Sequence, residues 1–252
     1  MGLAVLAGLA LPAVSSSPAW AHPSPDAYVT NFGSGNVSVI DTTTNTVVDT
    51  VPVGSGPQGV AITPNGRRAY VTNRTSNTVS VIDTTTNTDV ATIPVGAGPI
   101  GIAITPNGRR AYVTNVLSGV SVIDTITNTV VATVPVGTFP GQVAITPNGR
   151  RAYVTNFGSG NVSVIDTTTN TVIATIPVSG FVTGGVAITP NSRRAYVAVG
   201  SSNDVQVIDT TTNTVVATIP VGAGPAAVAI TPGKGKHHKP HKPEEPKKPG
   251  HH

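Results

Sequence analysis

Between residues 27 and 233 the chain contains no His, Lys, Glu or Cys. General acid–base chemistry usually falls to His, Glu, Asp or Lys with a tuned pKa, so aspartate is the one such group available there. Five aspartates, Asp41, Asp83, Asp124, Asp166 and Asp209, recur at one point of a repeat, each followed by a Thr-rich run. A carboxylate present in every copy points to structure: it is expected to accept hydrogen bonds from the turn that follows, or to pair with arginine. Asp49, Asp89 and Asp204 fall at different points of their repeats and form no equivalent pair. No catalytic residue is assigned and no cofactor is expected.

Arginine is the other charged group of this stretch. It comes in pairs, Arg67-Arg68, Arg109-Arg110, Arg150-Arg151 and Arg193-Arg194, each after a Pro-Asn-Gly or Pro-Asn-Ser turn. The expected partners are the repeated aspartates of a neighbouring unit on the same face. The alternative is a ring of guanidinium forks for phosphate or carboxylate, weakened by those aspartates.

The repeats must position all of these groups. Ala-Tyr-Val recurs at Tyr28, Tyr70, Tyr112, Tyr153 and Tyr196, spaced 42, 42, 41 and 43 residues apart. A period near 42 with several short β-like runs is the mark of a propeller blade or another β array. One unit holds four runs rich in Val, Ile, Thr and Tyr: Val60–Thr63, Arg67–Asn73, Val79–Ile82 and Val90–Val95. Each is bounded by turn residues, as strands are, and they are named a, b, c and d. Strand d carries Pro52, Pro94, Pro135, Pro177 or Pro220. Proline cannot donate to a ladder, which marks d as the outer edge.

The strand count predicts closure. The repeats begin with a b strand at Ala27 and end with a lone a strand at Val228–Thr231. Five copies of each strand predict an all-β, five-bladed β-propeller of twenty strands in four-stranded antiparallel blades. The C-terminal strand is expected to close the ring by pairing into the first blade, residues 27–53 with 228–232. The other blades are expected at 60–95, 102–136, 143–178 and 186–221. Two chains sharing a larger ring is the alternative.

Tyr-Val-Thr-Asn at Tyr28–Asn31, Tyr70–Asn73, Tyr112–Asn115 and Tyr153–Asn156, with the Val-Ile-Asp-Thr and Ile-Pro-Val-Gly segments, resembles the YVTN β-propeller repeat family. The resemblance covers residues 27–232; the fifth copy departs from it as Tyr196-Val197-Ala198-Val199. It implies a surface-layer-like or secreted propeller. Related propellers include lactonases and cofactor-bearing reductases, so the fold transfers no chemistry by itself. A lactonase-like or lyase-like enzyme is one alternative, but such sites usually use a metal cluster of Glu, His, Asp or Asn, and this stretch has neither Glu nor His. An inert structural spacer is the other.

The copies differ mainly on the face built from the b–c and d–a loops. All four phenylalanines, Phe32, Phe139, Phe157 and Phe181, lie there, and Arg74 and Leu117 depart from the consensus on the same face. In a closed ring these phenylalanines would fall on neighbouring blades. Clustered loop aromatics on a rigid scaffold make a candidate binding face for a protein or glycan partner, with packing against neighbouring loops as the structural alternative.

The ends are of another kind. Residues 1–21 read as a signal peptide: Gly2–Val14 is nearly all apolar and Ala19-Trp20-Ala21 fits a cleavage site. The apolar run is short for a membrane span, so none is expected in the mature chain. No Lys or Arg precedes Arg67, so the positive charge that opens a signal is expected upstream of Met1. Residues 22–26 form a short linker and 27–233 the propeller. Residues 234–252 form a tail rich in Lys, His and Pro that is expected to be disordered. The net charge of +4 resides in this tail, with six Lys against two Glu; the repeats carry nine Arg against eight Asp. A basic stripe for nucleic acid is absent, and nucleic-acid binding is not expected. The tail suits tethering to an anionic cell-envelope polymer, which implies an extracellular or cell-wall location. His237, His238 and His241 are weak metal candidates, since their spacing sets no geometry.

Overall fold

The computed structural model describes residues 25–180 and 182–232. The expected signal peptide, most of the linker, Phe181 and the tail with His237, His238 and His241 lie outside the described residues.

The described residues form nineteen strands in five antiparallel sheets. The first sheet holds β1 (Asp26–Asn31), β2 (Asn36–Asp41) and β3 (Thr46–Pro52). The second holds β4 (Pro57–Ile62), β5 (Arg68–Asn73), β6 (Thr78–Asp83) and β7 (Thr88–Pro94). The third holds β8 (Pro99–Ile104), β9 (Arg110–Asn115), β10 (Gly119–Asp124) and β11 (Thr129–Val134). The fourth holds β12 (Pro140–Ile145), β13 (Arg151–Asn156), β14 (Asn161–Asp166) and β15 (Thr171–Pro177). The fifth holds β16 (Val182–Ile188), β17 (Arg194–Val199), β18 (Asp204–Asp209) and β19 (Thr214–Pro220). Each four-stranded sheet runs in sequence order from its a strand to its d strand, and the a strands of successive sheets lie side by side.

The Tyr-Val-Thr-Asn motif is legible as joinery. Tyr28, Tyr70, Tyr112 and Tyr153 each donate a hydroxyl hydrogen bond of 2.6–3.0 Å to an asparagine of the next sheet: Asn87, Asn128, Asn170 and Asn213. Those asparagines sit in the left-handed region at φ 51–55°, which Asn tolerates better than most residues. Val71, Val113 and Val154 enter the core between sheets. Thr30, Thr72, Thr114 and Thr155 donate to the carbonyls of Gln58, Ile100, Gly141 and Gly184 on the next a strand. Asn73, Asn115 and Asn156 reach back to Ser80, Ser121 and Ser163 of their own c strand.

Four apolar clusters fill the four junctions between consecutive sheets. In the second junction Tyr70, Val79, Val81 and Ile93 meet Ala111, Val113 and Ile123. Burying a side chain of this size contributes about 1.5–3 kcal/mol, so each junction is a substantial part of the stability.

The ring expected from the sequence is not closed. Residues 221–232 carry no strand, β1 pairs only with β2, and the first sheet has three strands. The twentieth strand is therefore absent. Its Val-Ala-Ile-Thr sequence suits an inner strand, but the segment lies beside β16, where the Gly185 amide donates to the Ala226 carbonyl at 2.9 Å. A strand at that place meets β1 only if five sheets turn the chain through a full circle, and in this arrangement they do not.

Candidate functional site

Two kinds of loop build the variable face. The residue after each Tyr-Val-Thr-Asn, namely Phe32, Arg74, Val116 or Phe157, opens the b–c loop of its sheet. From the second to the fourth sheet its amide is tied to the preceding d–a loop: Arg74 to Gly56, Val116 to Gly98, Phe157 to Phe139, at 2.9–3.0 Å. The acceptor position is left-handed, with φ 68° at Gly56, 68° at Gly98 and 51° at Phe139. Gly224 of the last d–a loop is also left-handed, at φ 65°. A phenylalanine thus stands where three other d–a loops carry glycine; the remaining loop reads Ser-Gly-Phe-Val-Thr-Gly-Gly at residues 179–185. A left-handed L-residue costs about 1–2 kcal/mol, and strain of this kind collects at functional sites. The Phe139 ring lies over Gly158, where a Cβ would stand 2.5 Å from it.

Three adjoining clefts run along this face. One of about 390 Å³ is lined by Arg74, Val116, Phe139, Phe157 and Gln142 among others. The second, about 480 Å³, shares Arg74 and Val116 and adds Phe32 and Leu117. The third, about 500 Å³, lies between Leu117 and Phe139. Phe139 and Phe157 are each 48% exposed, Phe32 54% and Leu117 72%. Of the residues singled out from the sequence, Phe32, Arg74, Leu117, Phe139 and Phe157 therefore line one chain of clefts. Phe32 and Phe157 are joined through Arg74 and Val116 on the second and third sheets, and not across a closed seam. Val116, Pro140 and Gln142 are lining residues that sequence reading missed. Val116 was findable as the counterpart of Phe32, Arg74 and Phe157 in the aligned repeats.

The opposite face carries the a–b and c–d turns. Asp41, Asp124, Asp166 and Asp209 each accept two backbone amides of the following Thr-rich turn, and Asp83 accepts that of Thr85. Those amide hydrogen bonds are the main reason the Asp124, Asp166 and Asp209 carboxyls titrate below the usual aspartate range. Arg110 pairs with Asp124 and Arg194 with Asp209. Both pairs lie across one sheet, in the register Arg110↔Asp124 and Arg194↔Asp209, and not between sheets as expected. Arg151 crosses to the next sheet, but to the Thr210 carbonyl and to Asn213. Beneath this face burial pushes the Tyr28 and Tyr112 hydroxyls up to about 12. Tyr70 and Tyr153 are raised by the same cause.

No group of three or more His, Cys, Asp or Glu that could hold a metal ion occurs among the described residues. No helix long and apolar enough to cross a membrane occurs among them either.

Comparison with known proteins places these features in a family. The model of the cytochrome D1 heme domain matches residues 69–199, just over half of the chain, and the YNCE-like beta-propeller model matches residues 24–110. A curated relative, PE-PGRS family protein PE_PGRS18 of Mycobacterium tuberculosis, is 54% identical over 43 residues, which is 17% of this chain and 9% of that protein. Among solved structures, Kuenenia stuttgartiensis hydrazine synthase is similar with a TM-score of 0.60 at 21% identity, over 81% of this chain and 85% of that one. A functionally unknown protein from Desulfotomaculum acetoxidans DSM 771 is similar with a TM-score of 0.75 at 19% identity, over 82% and 70%. Dihydro-heme d1 dehydrogenase NirN in complex with DHE is similar with a TM-score of 0.67 at 18% identity, over 81% of this chain and 46% of that one. These likenesses show the fold.

A heme can be tested against the residues present. Its iron takes an axial ligand from His, Cys, Met or Tyr. The described residues include no His, Cys or Met. Four of the five tyrosines spend their hydroxyls on the asparagine of the next sheet. Tyr196, the fifth, lies at the same inter-sheet position of its repeat and not in the loop-face clefts. The described residues therefore do not fit a heme held by an axial ligand at those clefts.

Proposed function

Because the chain belongs to the cytochrome D1 heme domain family, as a β-propeller of the YVTN repeat type, we propose that it is a secreted or cell-surface binding propeller whose variable loop face holds a protein partner. The observation that carries this reading is Phe139: a half-exposed aromatic in a left-handed conformation, where three other d–a loops use glycine, at the edge of clefts shared with Phe157 and Arg74. Retaining strain to keep an aromatic ring at a surface is explained by a contact that the ring makes. The apolar lining of Phe139, Phe157, Val116 and Pro140, with Arg74 and Gln142 among it, suits an apolar side chain of a protein better than a sugar. The lack of His, Lys, Glu and Cys between residues 27 and 233 supports binding over catalysis. In this reading residues 1–21 direct export, and the Lys-rich tail at 234–252 adds a salt-sensitive hold on an anionic envelope.

The test is co-sedimentation of the full chain with purified cell envelopes, at low and at high salt. Wild type is expected to stay bound at high salt, where the tail is screened. A Phe139→Gly/Phe157→Ala variant is expected to lose at least tenfold of that salt-resistant binding. Binding that vanishes with salt, and is equal in wild type and variant, would leave only the tail as an attachment and sink the proposal.

A further inference from the structure

Each of the four junctions joins the same two faces. The leading face of one sheet supplies a tyrosine, two c-strand valines and a d-strand Ile or Val; the trailing face of the next supplies Ala, Val and Ile. Among the described residues one copy of each face is left without a partner. On the fifth sheet Ile219 is 42% exposed, whereas its counterparts Val51, Ile93, Val134 and Ile176 are at most 3% exposed. On the first sheet Val29 is 44% exposed, whereas Val71, Val113, Val154 and Val197 are fully buried. The polar fittings are divided in the same way. Among the described residues Asn45, left-handed at φ 56°, has no tyrosine of a preceding sheet, and Tyr196 has no asparagine of a following one. The strands divide likewise. The first sheet lacks its a strand, and Val228–Thr231, which repeats the a-strand sequence of Val60–Thr63, has no b strand.

We propose that these halves meet between two copies of the chain, head to tail. The fifth sheet of one copy packs on the first sheet of the next, and Val228–Thr231 of the first copy becomes the missing strand beside β1 of the second. The occupant follows from the repeat itself, since the contact is the junction the chain already makes four times. By the register of Val60↔Val71, Ala61↔Tyr70 and Ile62↔Ala69, Val228 would face Val29, Ala229 Tyr28 and Ile230 Ala27. Tyr196 of one copy would donate to Asn45 of the next. Bonding a second copy in place of the chain's own first sheet leaves the four packed junctions unchanged. Closing on itself would require each of them to turn further, and a Cβ at Gly59 would already stand 2.3 Å from the Ile100 carbonyl of the neighbouring sheet. The two faces differ, so the contact is heterologous, and successive copies add until a ring closes or a filament forms.

The experiment is sedimentation velocity on the full chain over a hundredfold range of concentration, with circular dichroism to confirm folding. Wild type is expected to form species larger than a monomer as concentration rises. Val29→Arg blocks the trailing face and Ile219→Glu the leading face, so each variant alone is expected to associate at least tenfold more weakly. Mixed in equal amounts, the two retain one good face each and are expected to give a dimer and nothing larger. Asn45→Ala, which alters one exposed side chain, is expected to weaken wild-type association about fivefold. A wild type that stays monomeric throughout, or a mixture that yields no dimer, would overturn the proposal and point to closure of the chain upon itself.

Discussion

Tyr70 of one sheet donates a 2.8 Å hydrogen bond to Asn128 of the next, and Asn128 can receive it because its backbone is left-handed at φ 54°. The two requirements are separable. Asn128→Gly keeps the conformation and loses the acceptor, so it is expected to cost about 1 kcal/mol, the net worth of one hydrogen bond. Asn128→Ala loses the acceptor and strains the turn as well, so it is expected to cost about 2–3 kcal/mol. Equilibrium denaturation of both variants checks the order; equal losses would show that the turn geometry carries no penalty.

The same construction sets two pH limits. The carboxyls of Asp124, Asp166 and Asp209 titrate below 3.8 in the folded chain, chiefly through turn amides. Their contribution is present above 3.8 and is lost as pH falls below it through the folded values. The Tyr28 and Tyr112 hydroxyls are raised from 10.0 to about 12 by burial. Their contribution is complete below pH 10.0 and is lost as pH rises toward about 12. Thermal melts from pH 2 to 12 are expected to show a plateau across neutrality with a fall at each end. A fall centred near pH 6 would contradict this assignment, since the described residues hold no histidine.

Phe139 separates stability from binding. Phe139→Gly removes the left-handed strain, which relieves about 1–2 kcal/mol, and loses the packing of the ring over Gly158. Its melting temperature is expected to be unchanged or higher, while salt-resistant binding falls. Loss of both together would make Phe139 a packing residue.

Ala198 replaces the threonine that ties one sheet to the next. The corresponding bond in the fourth sheet runs from Thr155 to the Gly184 carbonyl at 3.1 Å. By that pattern Ala198→Thr would reach the Ala226 carbonyl and add about 1 kcal/mol of stability. An unchanged melting temperature would mean that residues 226–228 do not stay seated beside β16 in solution.

Much of this was readable in advance, for physical reasons. Strand composition, Pro-Asn-Gly turns and edge prolines are local signals, and they locate nineteen strands, although β1 starts at Asp26, one residue before the expected Ala27, and the a strands start at Pro57, Pro99, Pro140 and Val182, three or four residues before the expected starts. The twentieth strand failed because its sequence matches the others, while its pairing depends on how far five sheets turn, a sum over four junctions that no local window contains. Arginine partners failed for a related reason. The b–c register sets Arg110 opposite Asp124 within one sheet, and spacing along the chain does not distinguish that from a contact between sheets. The strain at Phe139 was visible and unread: aligned, four of the five d–a loops read Ser-Gly-Pro, Ala-Gly-Pro, Thr-Phe-Pro and Ala-Gly-Pro at residues 55–57, 97–99, 138–140 and 223–225, while the loop at 179–185, one residue longer, reads Ser-Gly-Phe-Val-Thr-Gly-Gly.

The central claim is that the loop face bearing Phe139 and Phe157 is where the chain meets its partner. Hydroxyl-radical footprinting of the full chain, free and bound to purified envelopes at high salt, tests it most directly. Phe32, Leu117, Phe139 and Phe157 are predicted to lose reactivity on binding. Ile126, 73% exposed on the opposite face, is predicted to keep it. Protection of Ile126 with the phenylalanines still reactive would place the partner on the arginine face and contradict the account.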